Sequence, residues 1–407
     1  MKCGLLGRKL GHSYSPQIHA LLGNYSYQLF EKEPEEIGDF LKSGDFTGLN
    51  VTIPYKKEVI PFLDELSPAA ARLGAVNTIV RRDGKLIGHN TDYFGFRRLV
   101  QESGLQVAGK KVLVLGSGGA SSTAVAVLQE LGAKVTVISR SGENNYENLD
   151  RHADAAVIVN TTPVGMYPNT GKSALSLEGF PRLEGVLDAV YNPARTQILL
   201  DAERRGLAAV NGLWMLVAQA KESAEWFTGE EIPDSRIAKI HHTLRLQMEN
   251  IILIGMPGCG KTAVGQQLAQ KLGKKFVDAD ESLEARVCRK ITDIIPNDGE
   301  AAFREMESET LAELGKQSGL VIATGGGCVT QPQNYPLLHQ NGTIFWLKRE
   351  LDKLPTDGRP LSQKGTLGQM YEARMPLYLR FADAAISNDG SIAETASAIC
   401  RKLEETT

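Results

Sequence analysis

Residues 255–262 constrain the fold of this chain more than any other stretch. They are Gly-Met-Pro-Gly-Cys-Gly-Lys-Thr, which satisfies every fixed position of the phosphate-binding pattern G-x-x-x-x-G-K-[ST]. The unbroken apolar run 251–254 precedes them and is typical of a strand buried on both faces, while residues 263–269 have helical spacing. Backbone N–H groups that converge at a helix start bind phosphate oxygens. The sequence therefore predicts an α/β fold in which a strand, a phosphate-binding loop and a helix follow one another.

Four residues of this loop are expected to bind a nucleotide. Gly258 and Gly260 let the backbone approach phosphate oxygens, and Lys261 reaches the β- and γ-phosphates. Thr262 supplies a hydroxyl for Mg²⁺. The alternative is a glycine-rich turn that binds nothing, which the complete motif in its expected setting disfavours.

Length and composition limit the class of protein. A chain of 407 residues predicts two or three domains, and 42% hydrophobic with 23% charged residues is typical of a soluble globular protein. A net charge of -3 gives no sign of a nucleic-acid partner, and no segment has the apolar length of a membrane span. The five cysteines lack metal-ligand spacing, so a reducing cytoplasm is expected.

A second nucleotide-binding unit is predicted upstream. Residues 111–115 form a buried strand, 124–131 a helix and 134–138 a second strand, which together make a βαβ unit. The turn after the first strand contains Gly116, Gly118, Gly119 and Ala120. Ser121 takes the third glycine position of G-x-G-x-x-G, so the turn alone is weak evidence for a dinucleotide.

The residues after the second strand of this unit indicate which dinucleotide binds. Ser139, Arg140 and Ser141 offer a guanidinium and two hydroxyls where an NAD-specific site would place an acid. Such a group would hold a 2′-phosphate, which favours NADP over NAD. The alternative is that Arg140 is an ordinary surface charge.

The first hundred residues contain polar segments at predicted strand or helix ends. Ser13 and Ser15 lie in a loop before a helix, where the alternative is that they only cap the helix ahead of Pro16. Lys56 follows a strand and a proline, and a lone lysine is usually solvated surface. The segments are 11–16, 48–56, 74–78 and 88–92.

These segments, in this order, resemble the S-x-S-P, N-V-T-x-P-x-K, G-A-V-N-T and N-T-D blocks of shikimate dehydrogenases. The resemblance extends to about residue 247 and implies that Lys56 and Asp92 form the catalytic pair. An ammonium beside a developing alkoxide stabilises the charge and delivers the proton. The resemblance assigns substrate binding to Ser13, Ser15, Thr52, Asn77, Asp92, Tyr191 and Gln219. It adds Thr161, Gly212 and Met215 to the cofactor site, although Met215 also suits a helix core.

Downstream of the phosphate-binding loop, residues 276–280 are predicted to form a strand whose alternation puts Asp278 and Asp280 on one face. One carboxylate can hold Mg²⁺ through water and the other can meet an acceptor hydroxyl. Residues 299–307 are predicted to be helical, and Gly325, Gly326 and Gly327 form a turn where a substrate can approach N–H groups.

The segment 248–407 resembles shikimate kinases through its D-x-D, G-E-x-x-F-R-x-x-E, G-G-G and R-P-L blocks. The resemblance implies that Asp280 contacts substrate and serves as base, that Asp278 supports the metal, and that Arg304 and Arg374 clamp a carboxylate. It places Arg359 on a lid over the nucleotide, although a plain turn residue is the alternative. Segment 140–157 is shorter than in most shikimate dehydrogenases, by about one helix–strand unit. Segment 347–374 is shorter than in most shikimate kinases.

These observations predict a fusion of two α/β enzymes of one pathway. The first reduces 3-dehydroshikimate with NADPH, and the second phosphorylates the shikimate formed with ATP and Mg²⁺. Rival hypotheses are a quinate/shikimate oxidoreductase fused to a kinase, or one half that is a catalytically dead binding module. The predicted parts are a substrate domain (1–98 and 213–240), a Rossmann NADP domain (99–212), a junction (241–247) and a P-loop kinase domain with a parallel sheet (248–407).

Overall fold

The computed structural model describes residues 1–11, 13–354 and 367–405. The chain forms two compact units. The first comprises Met1–Val164, Ser173–Tyr191 and Asp201–Thr243, and the second Gly165–Lys172, Asn192–Leu200 and Leu244–Thr407. The division into domains given above stays a prediction. In the described part of the chain, each helix is too short or too polar to cross a bilayer.

The first unit begins with a six-stranded mixed sheet of order β2-β1-β3-β5-β6-β4. Its strands are β1 (Lys2–Gly7), β2 (Ser26–Glu31), β3 (Gly48–Val51), β4 (Glu65–Leu66), β5 (Thr78–Arg82) and β6 (Lys85–His89). The helices that accompany it are α1 (Ser15–Leu22), α2 (Ile37–Ser43), α3 (Pro68–Leu73) and α4 (Asp92–Glu102). All four residues of β3 are buried, and β1 and β5 flank it, so this strand lies inside the sheet.

A five-stranded parallel sheet of order β11-β10-β9-β7-β8 follows in the same unit. Its elements are β7 (Lys111–Leu115), α5 (Gly119–Glu130), β8 (Lys134–Ile138), β9 (Val157–Asn160), β10 (Gly185–Asp188) and β11 (Ala208–Val210). Helix α6 (Gln197–Arg204) precedes β11, and its residues up to Leu200 belong to the second unit. The predicted βαβ unit is confirmed as β7, α5 and β8. β8 is an outer strand of this sheet and pairs with β7 alone among the described strands.

Two helices complete the first half of the chain, α7 (Leu213–Thr228) and α8 (Ser235–Met248). α7 packs closely along α4, because Gly95 has no side chain: a Cβ there would stand 2.6 Å from the Met215 carbonyl oxygen and 2.9 Å from the Gln219 Cβ. α8 continues without a break through residues 241–247 and ends at Met248.

The second unit contains a five-stranded parallel sheet of order β13-β14-β12-β15-β16. Its strands are β12 (Asn250–Ile254), β13 (Lys275–Asp278), β14 (Leu320–Ala323), β15 (Gly342–Lys348) and β16 (Ala384–Ser387). Its helices are α9 (Lys261–Leu272), α10 (Ala279–Val287), α11 (Ile291–Gly315), α12 (Asn334–His339), α13 (Leu367–Phe381) and α14 (Ile392–Glu405). β12 is buried along its whole length and lies at the centre of the sheet, which confirms the buried strand predicted before the phosphate-binding loop.

The prediction of a strand through residues 276–280 is wrong at its end. β13 stops at Asp278 and α10 begins at Ala279, so strand alternation does not relate the two aspartates. The carboxylate of Asp278 accepts hydrogen bonds from the backbone N–H groups of Asp280 (3.0 Å) and Glu281 (3.4 Å). This N-cap stabilises a helix start at the position where the strand would otherwise continue.

Candidate active sites

Lys56 and Asp92 lie together in the first unit. The Nζ atom of Lys56 is 2.5 Å from Oδ2 of Asp92, and their side chains are 28% and 15% exposed. Lys56 lies in the turn that follows β3, and Asp92 is the first residue of α4. The Lys56 carbonyl oxygen accepts a hydrogen bond of 2.7 Å from the Val76 N–H, which ties this turn to the segment before β5. The pair is therefore held in place but still accessible to a small molecule.

Asn77 adjoins this pair through Thr91. The Oδ1 atom of Asn77 accepts the Thr91 backbone N–H at 2.7 Å, and its Nδ2 atom donates to Thr91 Oγ1 at 3.0 Å. Because Thr91 directly precedes Asp92, these two bonds fix the Asn77 side chain beside the start of α4. One Nδ2 proton of Asn77 is used in this way, which leaves the other for a ligand.

Ser13 and Ser15 lie at the start of α1. Ser13 Oγ accepts the Ser15 backbone N–H at 3.2 Å, but the N-cap residue of α1 is Tyr14 and no side chain caps the helix, so the alternative role of a serine cap is not observed. The Ser15 hydroxyl hydrogen-bonds to the Tyr27 side chain, whose hydroxyl donates to Asn50 Oδ1 at 2.7 Å. Thr52 is half-buried just beyond β3.

Tyr191 and Gln219 come from later segments of the same unit. The Tyr191 ring packs edge-on against Tyr14, with ring centroids 6.1 Å apart, and burial raises the pKa of its hydroxyl. Gln219 lies on α7, and its Nε2 atom donates to the Leu216 carbonyl oxygen at 2.8 Å. Its side chain is half-buried at the α4–α7 contact described above.

The predicted dinucleotide loop joins β7 to α5. Gly116 has φ of +107°, which favours glycine, and Thr161 Oγ1 donates to the adjacent Leu115 carbonyl oxygen at 2.6 Å. Gly118 is the residue before α5, whose first turn includes Gly119 and Ala120. The helix N-terminus and the Thr161 turn thus lie side by side at the ends of β7 and β9.

The other predicted cofactor residues divide into exposed and packed ones. Arg140 and Ser141 are exposed just beyond β8, and the Ser139 N–H donates to the Asn144 carbonyl oxygen at 3.1 Å. Met215 packs against the core around β7 and α5. Gly212 lies so close to the Ala189 carbonyl that any side chain there would collide with it.

In the second unit, one cavity of about 490 Å³ contains nearly all the predicted kinase residues. Its walls include Gly258, Gly260, Lys261, Thr262, Asp278, Asp280, Arg304, Gly325, Gly326, Gly327 and Arg374. Arg359 lies outside the described residues. The cavity is therefore built from the phosphate-binding loop, the start of α10, the middle of α11, the glycine turn after β14, and α13.

The end of the phosphate-binding loop presents one ammonium group, from Lys261, and lies beside two oxygen-bearing side chains, Thr262 and Asp278. Lys261 is buried, and its Nζ atom donates to the carbonyl oxygens of Gly255 (3.0 Å) and Met256 (3.1 Å). Thr262 Oγ1 lies 3.0 Å from Asp278 Oδ2. A hydroxyl and a carboxylate at this spacing, beside a phosphate-binding loop, fit the oxygen preference of Mg²⁺.

Asp280 lies in a strongly polarised part of the cavity. Burial raises the pKa of its carboxyl to about 6, and the neighbouring carboxylates of Asp278 and Glu307 act in the same direction. Lys261 and Arg304 oppose this rise without cancelling it. A carboxyl with a pKa near neutrality is suited to accept a proton at physiological pH.

Two groups of residues in this cavity were not predicted from the sequence. Glu307 accepts a hydrogen bond of 2.8 Å from Arg304 Nη1 through its Oε2 atom, while its Oε1 atom is buried without a partner. Its position three residues after Arg304 on a helix was the available signal. The second group is an apolar wall of Ile291, Ile295 and Phe303. Phe303 belongs to the G-E-x-x-F-R-x-x-E block, but none of the three was assigned a role, because apolar side chains on helices also suit a core.

Comparison with known proteins identifies both units. The family model for the shikimate dehydrogenase substrate binding domain matches residues 5–79, and the model for shikimate kinase matches residues 257–404. A shikimate dehydrogenase (NADP(+)) of Clostridium perfringens is 37% identical over 264 residues, which cover 60% of this chain and 97% of that protein. The chain belongs to the shikimate dehydrogenase family. The second match places a shikimate kinase domain in its later part, so the chain joins an oxidoreductase and a kinase of the shikimate pathway.

Two solved structures resemble the first unit. A chorismate mutase/shikimate 5-dehydrogenase fusion protein from Clostridium acetobutylicum is 36% identical with a TM-score of 0.57, over 60% of this chain and 96% of that one. Shikimate 5-dehydrogenase from Thermus thermophilus, in complex with NADP(H) and shikimate, is 30% identical with a TM-score of 0.54, over 60% and 99%.

A methyl group at Gly325 should impair the kinase alone. In Gly325→Ala the new Cβ would stand 2.6 Å from Glu307 Oε1 and 2.8 Å from Asp280 Oδ1, so both carboxylates must move. We expect kcat/KM for shikimate phosphorylation to fall by about tenfold or more, because small displacements of reacting groups are costly. Dehydrogenase activity should stay at the parent value.

Gly368→Ala is the matched control for this change. Gly368 lies in α13, and nothing stands within 4 Å of a Cβ built there. Parental kinase constants in Gly325→Ala would show that the space between the two carboxylates does not matter.

Proposed function

We propose that the first unit reduces 3-dehydroshikimate with NADPH and that the second phosphorylates the 3-hydroxyl of the resulting shikimate with ATP. The observation that carries the first activity is the Lys56–Asp92 contact of 2.5 Å in a half-buried setting. The second is carried by the cavity that combines a phosphate-binding loop with Asp280, Arg304 and Arg374. One assay with 3-dehydroshikimate, NADPH, ATP and Mg²⁺ tests both steps in sequence.

In the dehydrogenase step, a hydride added to the ketone carbon creates an alkoxide that must gain a proton. Bound NADPH supplies the hydride. The ammonium of Lys56 lies where it can stabilise the alkoxide, and the Lys56–Asp92 pair provides the proton. Asp92 also orients the ammonium, because its position is fixed by the start of α4.

The remaining polar groups of this unit orient the substrate. The free Nδ2 proton of Asn77 suits a ring hydroxyl, and the hydroxyls of Ser13, Ser15 and Thr52 suit the carboxylate or a further hydroxyl. Tyr191, in the turn after β10, adds a hydroxyl, and Gln219, on α7, adds a side-chain amide. A substrate with several hydroxyls and one carboxylate matches this set of groups.

NADP is the proposed cofactor of this step. Arg140 and Ser141 are exposed beyond β8, where they can contact a 2′-phosphate, and an acid that would bind the 2′-hydroxyl of NAD is missing from residues 139–141. The NADP(+) named for the Clostridium perfringens relative supports this assignment. A quinate/shikimate oxidoreductase that uses NAD is the rival, and the effect of Arg140 on cofactor choice distinguishes the two.

In the kinase step, Asp280 accepts the proton of the attacking hydroxyl, since burial keeps its pKa near 6. Arg304 and Arg374 bind the shikimate carboxylate, and the glycine turn at 325–327 lines the same cavity. Bound ATP and Mg²⁺ supply the phosphoryl group and neutralise its charge. Thr262 and Asp278 would hold the metal, and Lys261 would turn from its own loop carbonyls to the phosphates.

Loss of the Lys56 ammonium should slow reduction far more than it weakens binding. For Lys56→Ala we expect kcat for 3-dehydroshikimate to fall by roughly 10²-fold or more, because the ammonium acts when the alkoxide forms. Kinase kinetics should not change. The exposed neighbour Lys57 provides the control, Lys57→Ala. A Lys56→Ala protein with parental turnover would remove this residue from the mechanism.

The two cofactors should respond differently to loss of Arg140. In Arg140→Ala we expect the KM for NADPH to rise by about tenfold and that for NADH to change little, because NADPH alone carries the 2′-phosphate. Lys134→Ala, at the exposed start of the same strand, serves as the control. Equal losses for NADPH and NADH would argue against a phosphate contact.

Kinase turnover should fall as the pH drops through about 6, where the Asp280 carboxyl becomes protonated and cannot accept the hydroxyl proton. The sign follows from the raised pKa: the active carboxylate form predominates above that value and is lost below it. In Glu307→Gln the limb should move to lower pH, since one neighbouring negative charge is gone. A kinase profile that is flat between about pH 5 and 8 would exclude Asp280 as the base.

A further inference from the structure

Ser223 lies in a buried network of polar side chains under the dehydrogenase site. Its hydroxyl, on α7, is fully buried. It is 2.8 Å from Asn50 Nδ2, 2.8 Å from Thr78 Oγ1, 2.9 Å from Thr91 Oγ1 and 2.9 Å from the Gln219 carbonyl oxygen. All four neighbours touch the proposed substrate residues, since Thr91 and Thr78 bond to the Asn77 side chain, Asn50 Nδ2 donates to the Asn77 carbonyl oxygen at 3.4 Å, and Gln219 is itself one of them.

The directions of these hydrogen bonds can be assigned by counting protons. Asn77 Oδ1 accepts the Thr91 backbone N–H, so the amide is oriented with Nδ2 donating to Thr91 Oγ1. The Thr91 hydroxyl then passes its own proton on, and Ser223 Oγ at 2.9 Å is nearer than Asn77 Oδ1 at 3.2 Å or Thr78 Oγ1 at 3.3 Å.

Ser223 can receive that proton and one from Asn50, and it has a single proton to give. Asn50 Nδ2 can only donate, so Ser223 accepts from Asn50 and donates to the Gln219 carbonyl oxygen, and its second lone pair accepts the proton of one of the two threonine hydroxyls beside it, Thr91 or Thr78. This assignment uses each lone pair and proton of the hydroxyl once. A side chain without a hydroxyl would leave Asn50 and Thr91 with weaker partners in a buried place, which is costly.

We infer that Ser223 is a positioning residue of the dehydrogenase, whose hydroxyl holds Thr91, and through it the Asn77 amide, in a fixed place relative to Gln219 on α7. The inference rests on the proposed function. Ser223 does not touch the substrate. Its effect reaches the substrate through the Asn77 Nδ2 proton that Thr91 leaves free and through the place of Gln219.

A purely structural role is the competing explanation, because serine and threonine in helices often donate to the carbonyl four residues earlier. Thr228 on the same helix makes this bond, to Ala224 at 2.9 Å, and its hydroxyl otherwise accepts the Glu230 backbone N–H. Thr228 therefore represents a hydroxyl that makes this helix hydrogen bond but does not contact the buried network. Ser223 differs in its three side-chain partners, each of which comes from the substrate-binding sheet or its loops.

The test measures KM and kcat for 3-dehydroshikimate in Ser223→Ala, Thr228→Val and the unsubstituted chain. We expect Ser223→Ala to raise the KM for 3-dehydroshikimate by about tenfold while the KM for NADPH and the kinase constants stay unchanged. Thr228→Val should leave all of them at parental values. Ser223→Cys, which keeps the size but bonds weakly, should fall between serine and alanine and serves if the alanine variant does not fold.

A double-mutant cycle with Asn77→Ala separates positioning from a general loss of stability. If Ser223 acts through Asn77, the effect of Ser223→Ala on KM should largely disappear in the Asn77→Ala background. Independent, additive losses, or a lower unfolding temperature with an unchanged KM, would overturn the inference. Failure of the unsubstituted chain to reduce 3-dehydroshikimate would instead overturn the proposed function itself, which separates the two results.

Discussion

Parallel strands deliver their carboxyl ends to one edge of a sheet, and the polar chemistry of both nucleotide-binding sheets depends on that constraint. In the first unit β7 and β9 end beside each other, which puts the turn at Gly116 next to Thr161. In the second unit β12 and β14 do the same, so the phosphate-binding loop and the glycine turn face one cavity. The apolar strands need no polar residue of their own, because the sheet geometry decides where the loops meet.

Short connections then convert this edge into sites for anions. The chain passes from β7 to α5 and from β12 to α9 with few residues between, so each helix begins at the sheet edge. The first N–H groups of a helix have no partner within the helix and can bind an anion there. The carboxylate of Asp278 likewise serves two purposes at this sheet edge. It caps α10 with one oxygen and meets Thr262 with the other, so the group that starts a helix also faces the proposed metal position.

The sequence was most informative where function requires a contiguous pattern. The loop at 255–262 and the βαβ unit around Gly116 carry their spacing within a few residues, and both were predicted correctly. The strand through Asp280 was predicted wrongly because alternation along the chain carries no information about an N-cap that competes with it. Ser223 and Glu307 were missed for a different reason. Each suits a helix without any further role: the side-chain partners of Ser223 lie far away in the chain, and Glu307 makes an ordinary i, i+3 pair with Arg304.

β8 lies at the outer side of its sheet, and the chain returns from it to β9 through the short segment 139–156. Loss of an outer strand removes one ladder of hydrogen bonds, whereas loss of an inner strand removes two and divides the sheet. Residues can therefore be lost beyond β8 while β7, which carries the glycine turn, stays paired on both sides with β8 and β9. By the same reasoning, a loop or reporter peptide added in the exposed part of this segment should leave the inner strands of the sheet intact.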